Sequence, residues 1–109
     1  MFNDSVGLYE YQGGIAVDCD EDSLNQYGIV HGGLLSTLLD ESMGYLILKK
    51  GTKVVTAQIS VQYILPGKRG RITSKANMVR EGKDLIFMEA TAEQDGVTLA
   101  TATGIYFKI

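Results

Sequence analysis

Cysteine, histidine and proline occur once each in this chain of 109 residues, and tryptophan not at all. Cys19 alone closes no intramolecular disulfide, so a domain of this size draws its stability from its core or from copies of itself, in a reducing, cytoplasmic setting. One His and one Cys leave too few ligands for a dedicated transition-metal site. Asp18, Asp20 and Asp22 open like a calcium loop, but Ser23 and Ile29 stand where that loop requires Gly and Glu. Positive charge is scarce too: 10 Lys and Arg against 13 Asp and Glu give a formal net charge of -3. No basic field exists to attract nucleic acid or an anionic membrane surface. The longest apolar run, Met43 to Leu48, is too short to span a bilayer, and the opening residues lack the cationic start and apolar stretch of a signal peptide. Neither a membrane-spanning nor a secreted protein is expected.

What remains is the composition of a folded globule, 45% hydrophobic and 21% charged, whose length suits one domain over residues 1–109. Periodicity changes once. From Thr52 onward the residues are rich in Val, Ile, Thr, Tyr and Phe, with turn signals at Pro66-Gly67, Glu81 to Asp84 and Asp95-Gly96. These divide the segment into predicted strands at about Lys53–Leu65, Arg71–Arg80, Asp84–Gln94 and Val97–Lys108, each roughly 33 Å long. Short turns make consecutive strands antiparallel. In the third strand Ile86, Met88, Ala90 and Ala92 share one face and Glu89 and Glu93 the other, the alternation of a strand buried on one side. Leu8 to Val17 reads as a further strand with a turn or bulge at Gly13-Gly14. Few residues precede it, and no N-terminal helical extension is expected.

Gly33 to Lys49 contains no Pro and ends in Lys49-Lys50-Gly51, cations and a Gly where a helix C-terminus favours them. Such a helix runs roughly 25 Å, so a long antiparallel sheet can curl along its whole length. Leu35, Leu38, Leu39, Ser42 and Leu46 fall on one face, flanked by Leu34, Met43 and Tyr45. Gly33, Ser36, Thr37, Asp40 and Gly44 form a second stripe of small residues, with Asp40 its only charge. That stripe admits another backbone, another helix or a ligand.

The single His stands at the helix start, in Asn25-Gln26-Tyr27-Gly28-Ile29-Val30-His31-Gly32-Gly33. The first turn of a helix carries unpaired N–H groups and partial positive charge. The Gly32 and Gly33 amides can therefore polarise a carbonyl or hold an oxyanion, with no side chain in the way. Asp40 lies about 13 Å beyond His31 along the helical axis. One chain cannot bring its own Asp40 and its own Gly32 amide to one reacting carbon. Two copies paired about a two-fold, small-residue stripes facing, would set the helix start of one against the middle of the other and make two equivalent sites. Taken singly, His31 is a loop-bonding histidine, Gly32-Gly33 a tight turn, Asn25 a turn former and Asp40 a solvated or interface carboxylate. Their joint spacing is what points to chemistry. Glu41 points about a quarter turn from Asp40 and reads as a flank residue.

The pattern Asn25, Gly28, His31-Gly32-Gly33 and Asp40-Glu41, followed by a five-stranded antiparallel sheet, resembles the hotdog-fold acyl-CoA thioesterases of the PaaI-like and Them2-like type, over nearly the whole chain from Tyr9. The resemblance implies an α+β hotdog fold, a long antiparallel sheet wrapped around one central helix. It also implies hydrolysis of an acyl-CoA thioester to free acid and CoA, with no cofactor beyond the CoA of the substrate. Asp40 matches the carboxylate that acts as nucleophile or activates water, Gly32 the amide that polarises the thioester carbonyl, and Asn25 and His31 the residues that orient that loop and the thioester. Thr56 falls where some relatives place a Ser that positions the attacking water. Asp40 and the Gly32 amide then come from different subunits of a homodimer, with a homotetramer as a dimer of dimers. Gly33 lies beside the substrate, and Arg80 and Lys83, in a basic turn common in the family, are offered to the CoA phosphates. A thiolate leaving group with a conjugate acid near pKa ~8.5, judged from cysteine, needs no strong acid to expel it. The rival readings are a non-catalytic acyl-CoA-binding or regulatory hotdog module and a hotdog dehydratase or hydratase, whose motif the stretch Gly28 to Gly33 does not match.

Overall fold

The computed structural model describes residues 2–109. In chain order it contains α1 (Phe2–Val6), β1 (Leu8–Tyr11), β2 (Gly14–Cys19), α2 (Gly32–Lys49), β3 (Val54–Tyr63), β4 (Gly70–Glu81), β5 (Leu85–Gln94) and β6 (Val97–Lys108), with one 3-10 turn at Glu21–Ser23. The strands make a single antiparallel sheet in the order β1-β2-β4-β5-β6-β3, curled around α2. The expected α+β hotdog architecture is present.

Three details depart from the sequence reading. The segment from Leu8 is a hairpin of two strands and not one interrupted strand, because Gln12 (φ 49°) and Gly13 (φ 81°) are both left-handed, the requirement of a tight two-residue turn. A short helix, α1, precedes it where none was expected, tied to α2 by Asn3 Nδ2 donating to Glu41 Oε2 at 2.9 Å. Consecutive strands β3 and β4 run antiparallel but are not neighbours. Residues 64–69 cross beside the segment leading into α2, where the Val30 N–H donates to the Gly67 carbonyl at 2.9 Å. β3 pairs instead with β6, from Val54 opposite Lys108 to Tyr63 opposite Ala100. One side of β3 is therefore an open sheet edge.

The helix buries Leu35, Leu38, Leu39, Ser42, Met43 and Ile47. Met43 and Ile47 are more central than expected, and Leu46 is half-buried. Beneath them the sheet floor is made of small residues: Ala90 faces Ala102 and Ala92 faces Ala100 across the β5–β6 ladder, all four buried. A floor that low lets the helix settle close, with Ile72, Ile86, Met88 and Tyr106 filling the space around it. Each large apolar side chain so buried contributes about 1.5–3 kcal/mol. Glu89 and Glu93 face outward, as their alternation requires. No helix among the described residues is long and apolar enough to cross a membrane.

Candidate active site

Asp40 sits half-buried midway along α2, and two hydroxyls from the sheet converge on one of its oxygens. Tyr106 Oη donates to Asp40 Oδ1 at 2.7 Å, and Thr56 Oγ1 donates to the same atom at 3.0 Å. Both donors rise from one rung of the ladder, since Thr56 lies directly opposite Tyr106. Just past that rung the register shifts between Thr56 and Gln58, a bulge that bends the edge strand and re-aims its side chains. Among the described residues no hydrogen bond from the chain reaches Asp40 Oδ2. One carboxylate oxygen is held and, among the described residues, the other has no hydrogen-bond partner.

Tyr106 was not among the sequence candidates, although a signal for it existed. The inward positions of β6 are Ala100, Ala102, Gly104 and Tyr106, all buried, and a tyrosine closing so small a series must find a partner for its hydroxyl. Burial first, and the neighbouring Asp40 carboxylate second, push the Tyr106 phenol far above its ordinary pKa. It keeps its proton and acts as a donor.

Asp40, Thr56 and Tyr106 form part of the wall of a cavity of about 700 Å³, within the size range of small-ligand sites. Leu8, Ile15, Tyr45 and Leu48 supply apolar surface to the same space. Glu41 lines it too, half-buried, with its carboxylate accepting from Asn3.

A second cluster occupies the start of α2. His31 is the N-cap: its Nδ1 accepts from the Gly33 N–H at 2.9 Å, which leaves the ring proton of the neutral imidazole on Nε2. The Gly33 amide, expected to face substrate beside Gly32, is thus taken up by the imidazole. Among the described residues the Gly32 N–H donates to nothing in the chain. Tyr63, unforeseen from sequence, donates from its hydroxyl to the Gly32 carbonyl at 3.1 Å. Asn25 organises the preceding loop. Its Oδ1 accepts from the Tyr27 and Ile29 N–H groups at 2.9 and 3.4 Å, and its own N–H donates to the Ile29 carbonyl at 2.7 Å. The His31 N–H is anchored on the Ser23 carbonyl at 2.9 Å.

Within one chain, then, Asp40 and Thr56 meet, and His31 meets Gly33 at the helix start, while Asn25 bonds within the loop before it; Gly32 and Asp40 are about 12 Å apart along the helix. Arg80 and Lys83 are exposed at and beyond the end of β4 and are not part of the cavity wall. Among the described residues no group of three or more His, Cys, Asp or Glu side chains is placed to hold a metal ion.

The sequence and the fold both have counterparts among known proteins. Residues 27–101 match the model of the thioesterase superfamily. Human acyl-coenzyme A thioesterase 13 is 34% identical over 71 residues, which are 62% of this chain and 51% of that protein. The chain spans about half the length of the curated relatives it matches. A Bacillus halodurans protein solved with CoA superposes with a TM-score of 0.91 at 28% identity, covering 99% of this chain and 75% of that one. A hypothetical thioesterase protein of Streptococcus pneumoniae, solved with coenzyme A, gives 0.83 at 30% identity over 93% of this chain and 86% of that one. Solved variants of a hypothetical thioesterase from the same organism replace an aspartate and a threonine by alanine, and the two positions have the same sequence separation, 16, as Asp40 and Thr56. On the family match and the shared architecture together, this chain belongs to the thioesterase superfamily.

Proposed function

We propose that the chain is one subunit of an acyl-CoA thioesterase whose active site is shared between two copies. The observation that carries this reading is the Asp40 carboxylate on a cavity wall, with one oxygen held by two hydroxyls and the other without a hydrogen-bond partner among the described residues. The human relative named as an acyl-coenzyme A thioesterase and the two neighbours solved with CoA support the substrate class.

In the reaction the thioester C–S bond breaks with its electron pair leaving on the CoA sulfur. The new C–O bond comes from Asp40 directly, followed by water, or from a water whose proton Asp40 accepts. The Gly32 N–H, at the positive end of α2, takes the negative charge that develops on the carbonyl oxygen. His31, by capping the neighbouring Gly33 N–H, and Asn25, by bonding the loop ahead of it, fix the turn that carries that amide.

The partner copy follows from distance. Two groups about 12 Å apart cannot both touch one carbon, and the open edge of β3 offers a way to bring them together. An antiparallel pairing of two β3 edges centred between Ile59 and Ser60 sets Thr56 of one chain opposite Tyr63 of the other. The Asp40–Thr56 end of one protomer then meets the Tyr63–Gly32 end of its twin. A homodimer so built, and a homotetramer of two such dimers, has two equivalent sites per pair. Arg80 and Lys83 are the cations assigned to the CoA phosphates. A buried lone thiol, Cys19, suits a cytoplasmic setting.

The test is thiol release from a panel of acyl-CoAs, with Asp40→Ala alongside and light scattering on the same samples. Release by the parent, its loss in Asp40→Ala and a dimeric or tetrameric mass are expected. A binding module would retain CoA affinity without release, and a folded, active monomer of 11.9 kDa would rule out the shared site.

A further inference from the structure

We infer that Tyr106 is a positioning residue for Asp40: together with Thr56 it pins Oδ1 and thereby commits Oδ2, and only Oδ2, to the reacting carbon or its attacking water. The inference rests on the thioesterase reading and adds to it a residue and an atom.

The terminal torsion of an aspartate is broad and nearly two-fold, so an unrestrained carboxylate presents either oxygen and swings between orientations. One donor fixes a distance. Two donors on adjacent strands, at 2.7 and 3.0 Å from the same oxygen, also fix the plane of the group. The Tyr106 hydroxyl lies 3.3 Å from the Asp40 carbonyl as well, so the ring addresses both the side chain and the helix turn that carries it.

Tyr106 can do this because it is itself immobilised. Its side chain is 1% exposed and its ring leans back over Gly104, where an added Cβ would stand 2.8 Å from the ring Cε1 and 3.1 Å from both Cε and Sδ of Met43. Any side chain at residue 104 competes with the ring for that space. The glycine thus acts at one remove on Asp40, through the ring it accommodates. Thr56 sits on the exposed edge strand, whereas Tyr106 is rooted in the core, so the tyrosine is the firmer of the two restraints.

The experiment compares Tyr106→Phe, Thr56→Val, their double variant and Asp40→Asn for kcat and KM on the acyl-CoA that the parent hydrolyses best. Tyr106→Phe is expected to lower kcat about tenfold, the scale of one hydrogen bond to a charged group, with KM within about twofold. Losing both hydroxyls should cost more than the product of the single losses, because each restrains the same oxygen. In the Asp40→Asn background, adding Tyr106→Phe should leave the residual thiol release unchanged.

Tyr106→Phe at the parent's kcat, with Asp40→Asn inactive, would overturn the inference and leave the thioesterase reading standing. An equal fractional loss with and without the Asp40 carboxylate would also overturn it, since that marks a general structural effect. Asp40→Asn as active as the parent would remove the site reading itself. Should Tyr106→Phe fail to fold, Gly104→Ala displaces the ring while keeping the phenol. It must then show the same kcat loss at unchanged KM, and parent-like kcat in that variant is the overturning result.

Discussion

Ser42 and Ser74 form the one buried hydroxyl pair between α2 and the sheet that the core contains among its described residues, and their roles are unequal. Ser42 Oγ donates to the Leu39 carbonyl at 3.0 Å and lies 2.8 Å from Ser74 Oγ. A hydroxyl has one proton, so with Ser42 spent on Leu39 it is Ser74 that donates across the gap. Ser74→Ala therefore removes a single net hydrogen bond and leaves Ser42 satisfied, a cost of about 0.5–1.5 kcal/mol. Ser42→Ala leaves the Ser74 hydroxyl, 1% exposed, with no acceptor, and adds a desolvation cost of about 1–3 kcal/mol. The double alanine variant has no orphan and should be more stable than Ser42→Ala alone. Urea unfolding at fixed protein concentration, read as midpoint shifts at constant m, measures all three. A shift of 1 kcal/mol corresponds to about 4–8 °C in Tm for a domain near this size. Equal losses in the two single variants, or a double loss equal to their sum, would refute the hub role of Ser42.

His31→Ala should cost the helix about 1 kcal/mol through loss of its cap, and His31→Asn, which restores an acceptor at that reach, should recover most of it in thermal melts. Gly14→Ala places a Cβ on the Ser74 carbonyl, backbone that cannot yield, so a loss of at least about 3 kcal/mol or failure to fold is expected, read by chemical unfolding. Asp18 is held below the usual carboxylate range by the hydrogen bond from Tyr9 and then by Arg71. A depressed native pKa stabilises above the unfolded value and loses that effect as pH falls through the native one. Asp18→Asn should therefore be slightly less stable than the parent at neutral pH, the effect being small because Arg71 and Asp18 are 48% and 61% exposed. The gap should close as the pH falls below the usual carboxylate range and through the lowered native value, and its persistence in strong acid would contradict the pairing.

Much of the site was legible because its chemistry is written in one contiguous segment. Asn25, His31, Gly32 and Asp40 share a loop and a helix, where spacing converts to distance by a fixed rise per residue. Thr56 was reachable only through the family resemblance, Tyr106 only as an inward-facing tyrosine in need of a hydroxyl partner, and Tyr63 not at all. Their relation to α2 depends on which strands are neighbours and on a one-residue bulge, and no local rule sets either. The hairpin at Gln12 was hidden for a different reason. Gln at φ 49° departs from its own preference, and residue type reports preference.

Alternation along the strands, the length of the helix and its start just after His31 follow from steric and hydrogen-bonding rules that act over a few residues, and those the amino-acid order determined unaided. The placement of β3 at the sheet edge, the meeting of Thr56 and Tyr106 on Asp40 Oδ1 and the capture of the Gly33 amide by the imidazole were decided only on packing. They join residues 16 and 66 positions apart or choose between two adjacent donors, choices that the sheet order and side-chain packing make and that the chain's local preferences leave open.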